Sequence, residues 1–149
     1  MNLEKTASAE PKSTHVRILI VDDHEVMRLG IRNLFGNVPN WTVCAEASNG
    51  EEAVEKALQF APDIIIMDIT MPGINGLEAS AKIAESRPDI PIILFSLHLS
   101  SDLVNHFLRG GIRGAVSKGE AARDLVDAVR TVLGGGTFFP AGTQLPKMS

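Results

Sequence analysis

Four short stretches of this 149-residue chain, three of them continuously apolar and the last weaker, stop at side chains able to do polar chemistry. Ile18-Leu19-Ile20-Val21 stops at Asp22-Asp23, and Ile64-Ile65-Ile66-Met67 stops at Asp68. Pro91 to Phe95 stops at Ser96, and Ile112 to Val116 stops at Ser117-Lys118. Singly, each polar residue has an ordinary role. Asp at a strand-to-helix junction is a favoured helix N-cap, and a Ser or Lys there can close a turn or sit in solvent. Jointly they supply three carboxylates, a hydroxyl and an ammonium, and chance capping does not account for the lysine. Clustered carboxylates raise one another's pKa and oppose folding, so such a cluster persists more readily with a cation. Hard oxygen donors suit Mg²⁺, the cofactor this set implies. One carboxylate can then act as a nucleophile toward phosphorus. The ammonium and the hydroxyl would offset charge on phosphoryl oxygens.

These residues share one site only if the runs are neighbouring parallel strands. Arg17–Val21 is short, continuously apolar and β-branched, as a strand buried on both faces should be. Met27, Ile31, Leu34 and Phe35 then fall on one helical face, which Gly36-Asn37 and Pro39 end. Trp41–Ala45 reads as a second strand, and Ser48-Asn49-Gly50-Glu51 as a capping box opening a helix through Ala53, Val54, Ala57 and Leu58. Strand Ile64–Met67 is followed by a turn-rich loop, 69–76, and a helix from Leu77 to Ser86 closed by Arg87-Pro88. Leu103, Val104, Phe107 and Leu108 mark a fourth helix after strand Pro91–Phe95; Ala122 to Leu133 outlines a fifth after strand Ile112–Val116. Strict βα alternation gives an α/β fold. The expected form is a flavodoxin-like, doubly wound, five-stranded parallel sheet of order 2-1-3-4-5, with five helices on both faces. Ligands bind such sheets at the carboxyl ends of the strands, where the strand order switches.

The length suits one core. Residues 1–15 read as a disordered arm, 16–135 as the folded domain, and 136–149 as a tail or truncated linker. Net charge is −4, which argues against a nucleic-acid surface spread over the chain. One cysteine, Cys44, precludes an internal disulfide; its apolar neighbours suggest a small buried hydrophobe. No run approaches a membrane span, no signal-peptide centre precedes residue 15, and the cytoplasm is the expected location.

With Asp22-Asp23-His24 at the first strand end, Asp68 three residues before Met71-Pro72-Gly73, Gly76 closing that loop, then Ser96 and Lys118, the sequence resembles the response-regulator receiver family over about Val16 to Phe139. The Asp-Asp-His-Glu opening and the Gly-Gly-Gly-Thr-Phe-Phe-Pro ending resemble the subfamily that usually carries a C-terminal helix-turn-helix DNA-binding domain. The resemblance implies a phosphoacceptor role for Asp68, with Ser96 as switch hydroxyl and Lys118 on the phosphoryl group. It implies Mg²⁺ held by Asp23 directly, by Asp22 through water, by Asp68 and by the Thr70 carbonyl. The implied phosphodonor is a sensor histidine kinase or phosphotransfer protein. The implied output is a change in the face formed by the fourth helix, fifth strand and fifth helix (Leu99 to Ala115), where a partner or a second copy would bind. DNA would be reached only through an output domain absent from this chain, and no membrane partner is expected.

The chain departs from the family at three points. Ala115 stands where an aromatic three residues before the lysine is usual, and there is no tyrosine anywhere. Gly119 follows the lysine in place of a common proline. The chain stops at Ser149, so the receiver stands alone or its output domain has been left off. His98, two beyond Ser96, reads as a loop residue that could position water, while His24 and His106 read as structural or surface residues. Among rivals, an aspartate-nucleophile phosphatase would want Asp-x-Asp after the first strand, and a dinucleotide enzyme Gly-x-Gly-x-x-Gly; neither is present. A phosphate-independent interaction module with the same fold remains the alternative. The domain is expected not to be an enzyme in its own right.

Overall fold

The computed structural model describes residues 15–97, 99 and 111–140. Five strands, β1 (Val16–Val21), β2 (Trp41–Ala47), β3 (Ile64–Asp68), β4 (Ile92–Ser96) and β5 (Ile112–Ser117), form one sheet in the order β2-β1-β3-β4-β5. Every pairing is parallel. The described residues hold four α-helices: α1 (Glu25–Gly36), α2 (Gly50–Phe60), α3 (Gly76–Ser86) and α4 (Ala121–Leu133). The helix expected at Leu103–Leu108, together with His98, His106 and nearly all of the expected N-terminal arm, lies outside the described residues.

The central strands β1, β3 and β4 read as nearly unbroken apolar runs because both their faces are covered. Alternate residues point to opposite sides. Leu19, Val21, Ile65, Met67 and Leu94 pack with Ala53 and Ala57 of α2 and Ala79 and Ile83 of α3. Ile18, Ile20, Ile64, Ile66, Ile93 and Phe95 pack with Ile31 and Phe35 of α1 and Leu125, Val129 and Val132 of α4. Each fully buried branched side chain contributes about 1.5–3 kcal/mol, so the central strands are the rigid frame on which the polar ends sit.

Three local readings need correction. The cap of α2 is Asn49, whose side chain accepts from Glu52 N at 2.8 Å. Ser48 lies one residue before the cap and donates through its backbone N to Glu52 Oε1, so the expected Ser48–Glu51 pair is not the one used. β2 runs on to Ala47, beyond the expected Ala45, because it stays paired with β1 up to Val21. Cys44 is only half-buried, since β2 is an edge strand; burial still pushes its thiol up from the ordinary range. Within the stretch expected as a tail or truncated linker, Phe138 touches the sheet. Phe138 N donates to Arg113 O at 3.1 Å and Ala115 N donates to Phe138 O at 2.8 Å, a parallel bridge opposite Gly114.

Candidate functional site

Sheet register brings the polar strand ends together. Val21 lies opposite Met67, so Asp22 and Asp68 leave neighbouring strands side by side. Asp68 is opposite Phe95, and Ser96 is opposite Ser117. Lys118 begins a single 3₁₀ turn, Lys118–Glu120, and its chain reaches back across β4 with Nζ 5.6 Å from the Phe95 ring centre. Nζ ends 2.7 Å from Asp22 Oδ2 and 3.4 Å from Asp68 Oδ2. The Lys118 side chain is only 5% exposed, so it is not the solvated lysine of the ordinary reading.

Neither Asp22 nor Asp23 caps α1, the ordinary role open to them. The N-cap is His24, which makes no capping bond with its side chain. Asp22 Oδ1 instead accepts from His24 N at 2.9 Å and turns the chain into α1, leaving Oδ2 for Lys118. The His24 ring, 69% exposed, stands 3.2 Å from Asp22 and 3.1 Å from Asp23 at Nδ1, a proximity that spacing alone gave no means to foresee.

The loop after Asp68 is folded tightly beneath it. Gly76 N donates to Ile69 O at 2.8 Å, and the Asn75 side chain accepts from Leu77 N and Glu78 N while Glu78 returns a bond to Asn75 N. This capping box explains why α3 starts at Gly76, one residue before the expected Leu77. A Cβ on Gly76 would lie 1.9 Å from Asp68 O. Gly76→Ala is therefore expected to destabilise the fold by about 1–3 kcal/mol, read as a lower urea midpoint, because the Asp68 backbone must shift. An unchanged midpoint would show that the loop gives way freely. Thr70 lies exposed in this loop, two residues past β3.

Electrostatics favour a cation here. Burial pushes the Asp68 carboxyl up to about 6, the Asp22 charge adds to this, Lys118 opposes it, and Asp23 adds a little more. One ammonium thus faces three carboxylates. Asp23 Oδ1 is buried and accepts no hydrogen bond, although the His24 ring approaches it at 3.1 Å. Ligand atoms of Asp22, Asp23, His24 and Asp68 all lie within 4.8 Å of one another. Orphaned carboxylate oxygen in a negative crevice fits a hard divalent cation, for which the three aspartates are the apt donors and the exposed imidazole is not.

Residues 18–130 match the family described as response regulator receiver domain. The chain belongs to this receiver family. Over 124 residues it is 42% identical to Response regulator UvrY of Escherichia coli (strain K12), covering 83% of this chain and 57% of that protein. It is 36% identical to Transcriptional regulatory protein DegU of Brevibacillus brevis, covering 83% of this chain and 52% of that protein. A crystal structure of a two-component response regulator of the LuxR family, from Aurantimonas sp. SI85-9A1, superposes with a TM-score of 0.80 at 34% identity, over 83% of this chain and 89% of that one. The chain spans just over half the length of the curated relatives.

The receiver's departures have a structural setting. Ala115 is buried in the cluster lined by Ile92 and Leu94, and Leu99 and Phe139 pack against that same cluster. Gly119 N donates to Ser117 Oγ at 3.3 Å, and among the described residues no peptide is cis. Ser96 is buried at the end of β4. Among the described residues no helix is long and apolar enough to cross a membrane.

Proposed function

We propose that this receiver accepts a phosphoryl group on Asp68 in a Mg²⁺-dependent transfer from a phosphohistidine. The observation that carries the reading is the buried Asp68 carboxylate beside Asp22, with the Lys118 ammonium 3.4 Å from its Oδ2. Asp23 and Asp68 would hold the ion directly, Asp22 through water, and the Thr70 carbonyl would complete the protein's share. Bound there, Mg²⁺ would offset charge on the carboxylates and on the phosphoryl oxygens.

An Asp68 oxygen forms the new bond to phosphorus as the phosphohistidine N–P bond breaks, the imidazole keeping the electron pair. Lys118 sits between Asp22 and Asp68, so a small movement would transfer its ammonium from carboxylate to phosphoryl oxygen. Ser96, at the end of the neighbouring strand, would supply a hydroxyl to the same group. The donor would be a sensor histidine kinase or phosphotransfer protein of the cytoplasm. Acceptance would bias an existing equilibrium of the face from Leu99 to Ala115, where a second copy or another partner binds. DegU is named a transcriptional regulatory protein. By likeness, the output here is transcription, with DNA met through an output domain. The domain acts as a phosphoacceptor, and its chemistry is limited to its own phosphoryl gain and loss.

Intact-protein mass after incubation with Mg²⁺ and a small acyl phosphate tests the reading, with Asp68→Asn as control. The expected result is a gain of one phosphoryl mass that requires Mg²⁺ and vanishes in the control. A folded parent that gains nothing would favour the phosphate-independent interaction module, and a persistent gain in the control would place the acceptor elsewhere.

A further inference from the structure

Arg28, in the first turns of α1, makes two directed bonds that touch no carboxylate of the site. Its Nη1 donates to the backbone O of Asp22 at 2.6 Å, and its Nε donates to Glu46 Oε1 at 2.9 Å. Glu46 lies on edge strand β2, in register with Ile20, two residues before Asp22. Its second oxygen is bound by Arg32 from the next turn of α1, and its carbonyl by Lys56 of α2. Asp22 N donates to Ala47 O at 3.0 Å. Both backbone polar groups of Asp22 are therefore fastened to β2, one directly and the other through Arg28 and Glu46.

The bond to Asp22 O fixes the plane of the peptide that joins Asp22 to Asp23, and with it the direction in which the two side chains leave the backbone. We propose that Arg28 is a positioning residue that holds Asp22 and Asp23 in the arrangement a divalent cation needs. The proposal rests on the Mg²⁺-dependent receiver reading above. A planar fork with fixed donor directions can hold a carbonyl and a carboxylate at once, which an ammonium on a flexible stem does less well.

Charge alone predicts the opposite effect. A guanidinium near a cation site repels the cation, so removing it would tighten Mg²⁺ binding. Loss of positioning weakens binding instead, and outer-shell partners of metal ligands typically contribute 10–100-fold. Arg32→Ala removes the same unit charge from the same glutamate but leaves Asp22 O bonded, which makes it the matched control.

The test is calorimetric titration of the 149-residue chain with Mg²⁺ alone, with thermal unfolding in chelator as a fold check. Arg28→Ala is expected to weaken Mg²⁺ binding about tenfold or more, Arg28→Lys to fall between it and the parent, and Arg32→Ala to stay within about twofold of the parent. Equal or tighter binding by Arg28→Ala would overturn the proposal, as would an equal loss in Arg32→Ala. Should Arg28→Ala fail to fold, Arg28→Lys decides: weakened binding supports the clamp and unchanged binding overturns it. A parent that binds no Mg²⁺ would instead withdraw the Mg²⁺-dependent phosphoacceptor reading on which the clamp depends.

Discussion

Asp68→Asn is expected to stabilise the metal-free protein at neutral pH while ending its phosphorylation. The Asp68 carboxyl titrates near 6 in the folded chain against 3.8 for an unperturbed group, chiefly because it is buried and next because Asp22 repels it. The folded state therefore holds the proton more tightly than the unfolded state. Below about pH 3.8 the associated stability is fully present; it is lost as pH rises through about 6. At pH 7 the ionised carboxylate costs about 3 kcal/mol before solvent screening, and on the order of 2 kcal/mol once that screening is allowed for. Asparagine keeps the shape and removes that cost. Urea midpoints of parent and variant should nearly coincide at pH 4 and diverge by pH 7, and saturating Mg²⁺ should narrow the gap by stabilising the parent. A variant no more stable than the parent at pH 7 would mean that repulsion among the aspartates is already relieved without metal.

Lys118→Met should act in the other direction, and more strongly. Methionine keeps an unbranched apolar stem over Phe95 but takes away the charge that lies 2.7 Å from Asp22 and 3.4 Å from Asp68. Removing one partner of a buried ion pair leaves an uncompensated charge and costs about 3–5 kcal/mol. Denaturation in chelator should show that loss, and Mg²⁺ should recover more of it than it adds to the parent, since the cation then does the neutralising alone. Adding Asp68→Asn to Lys118→Met should restore part of the stability, because the two residues interact directly and their effects do not add. A loss below about 1 kcal/mol in metal-free Lys118→Met would show that the cluster sheds its charge by taking up protons instead.

The sheet was legible because its central strands β1, β3 and β4 are short, largely β-branched runs buried on both faces, and no helical or alternating pattern competes with that reading. The site was legible for a related reason. In a parallel sheet the last residue of every strand falls on one edge, so Asp22, Asp68, Ser96 and Lys118 could be brought together from their positions in the chain alone. What escaped was decided by contacts distant in sequence or by choices among adjacent polar residues. Ser48 and Asn49 both suit an N-cap, and the backbone selects Asn49. Asn75-x-x-Glu78 carried a capping signal that the turn-rich loop concealed. Arg28 and Glu46 meet only because β2 lies beside β1. The half-exposure of Cys44 follows from the edge position of β2, which the proposed strand order already implied but its apolar neighbours obscured.

The bridge between Phe138 and β5 bears on how the molecule behaves among its own copies. β5 is an outer strand, and an outer strand presents unpaired N–H and C=O groups that can template the addition of another chain. Arg113 O and Ala115 N are two such groups, and Phe138 binds both. Gly114, between them, makes room: a Cβ there would come within 3.0 Å of Phe138 O. The middle of this edge is thus closed by a few residues of the same chain. That guards against strand-by-strand aggregation, and any partner that docks along β5 by adding a strand must first displace Phe138.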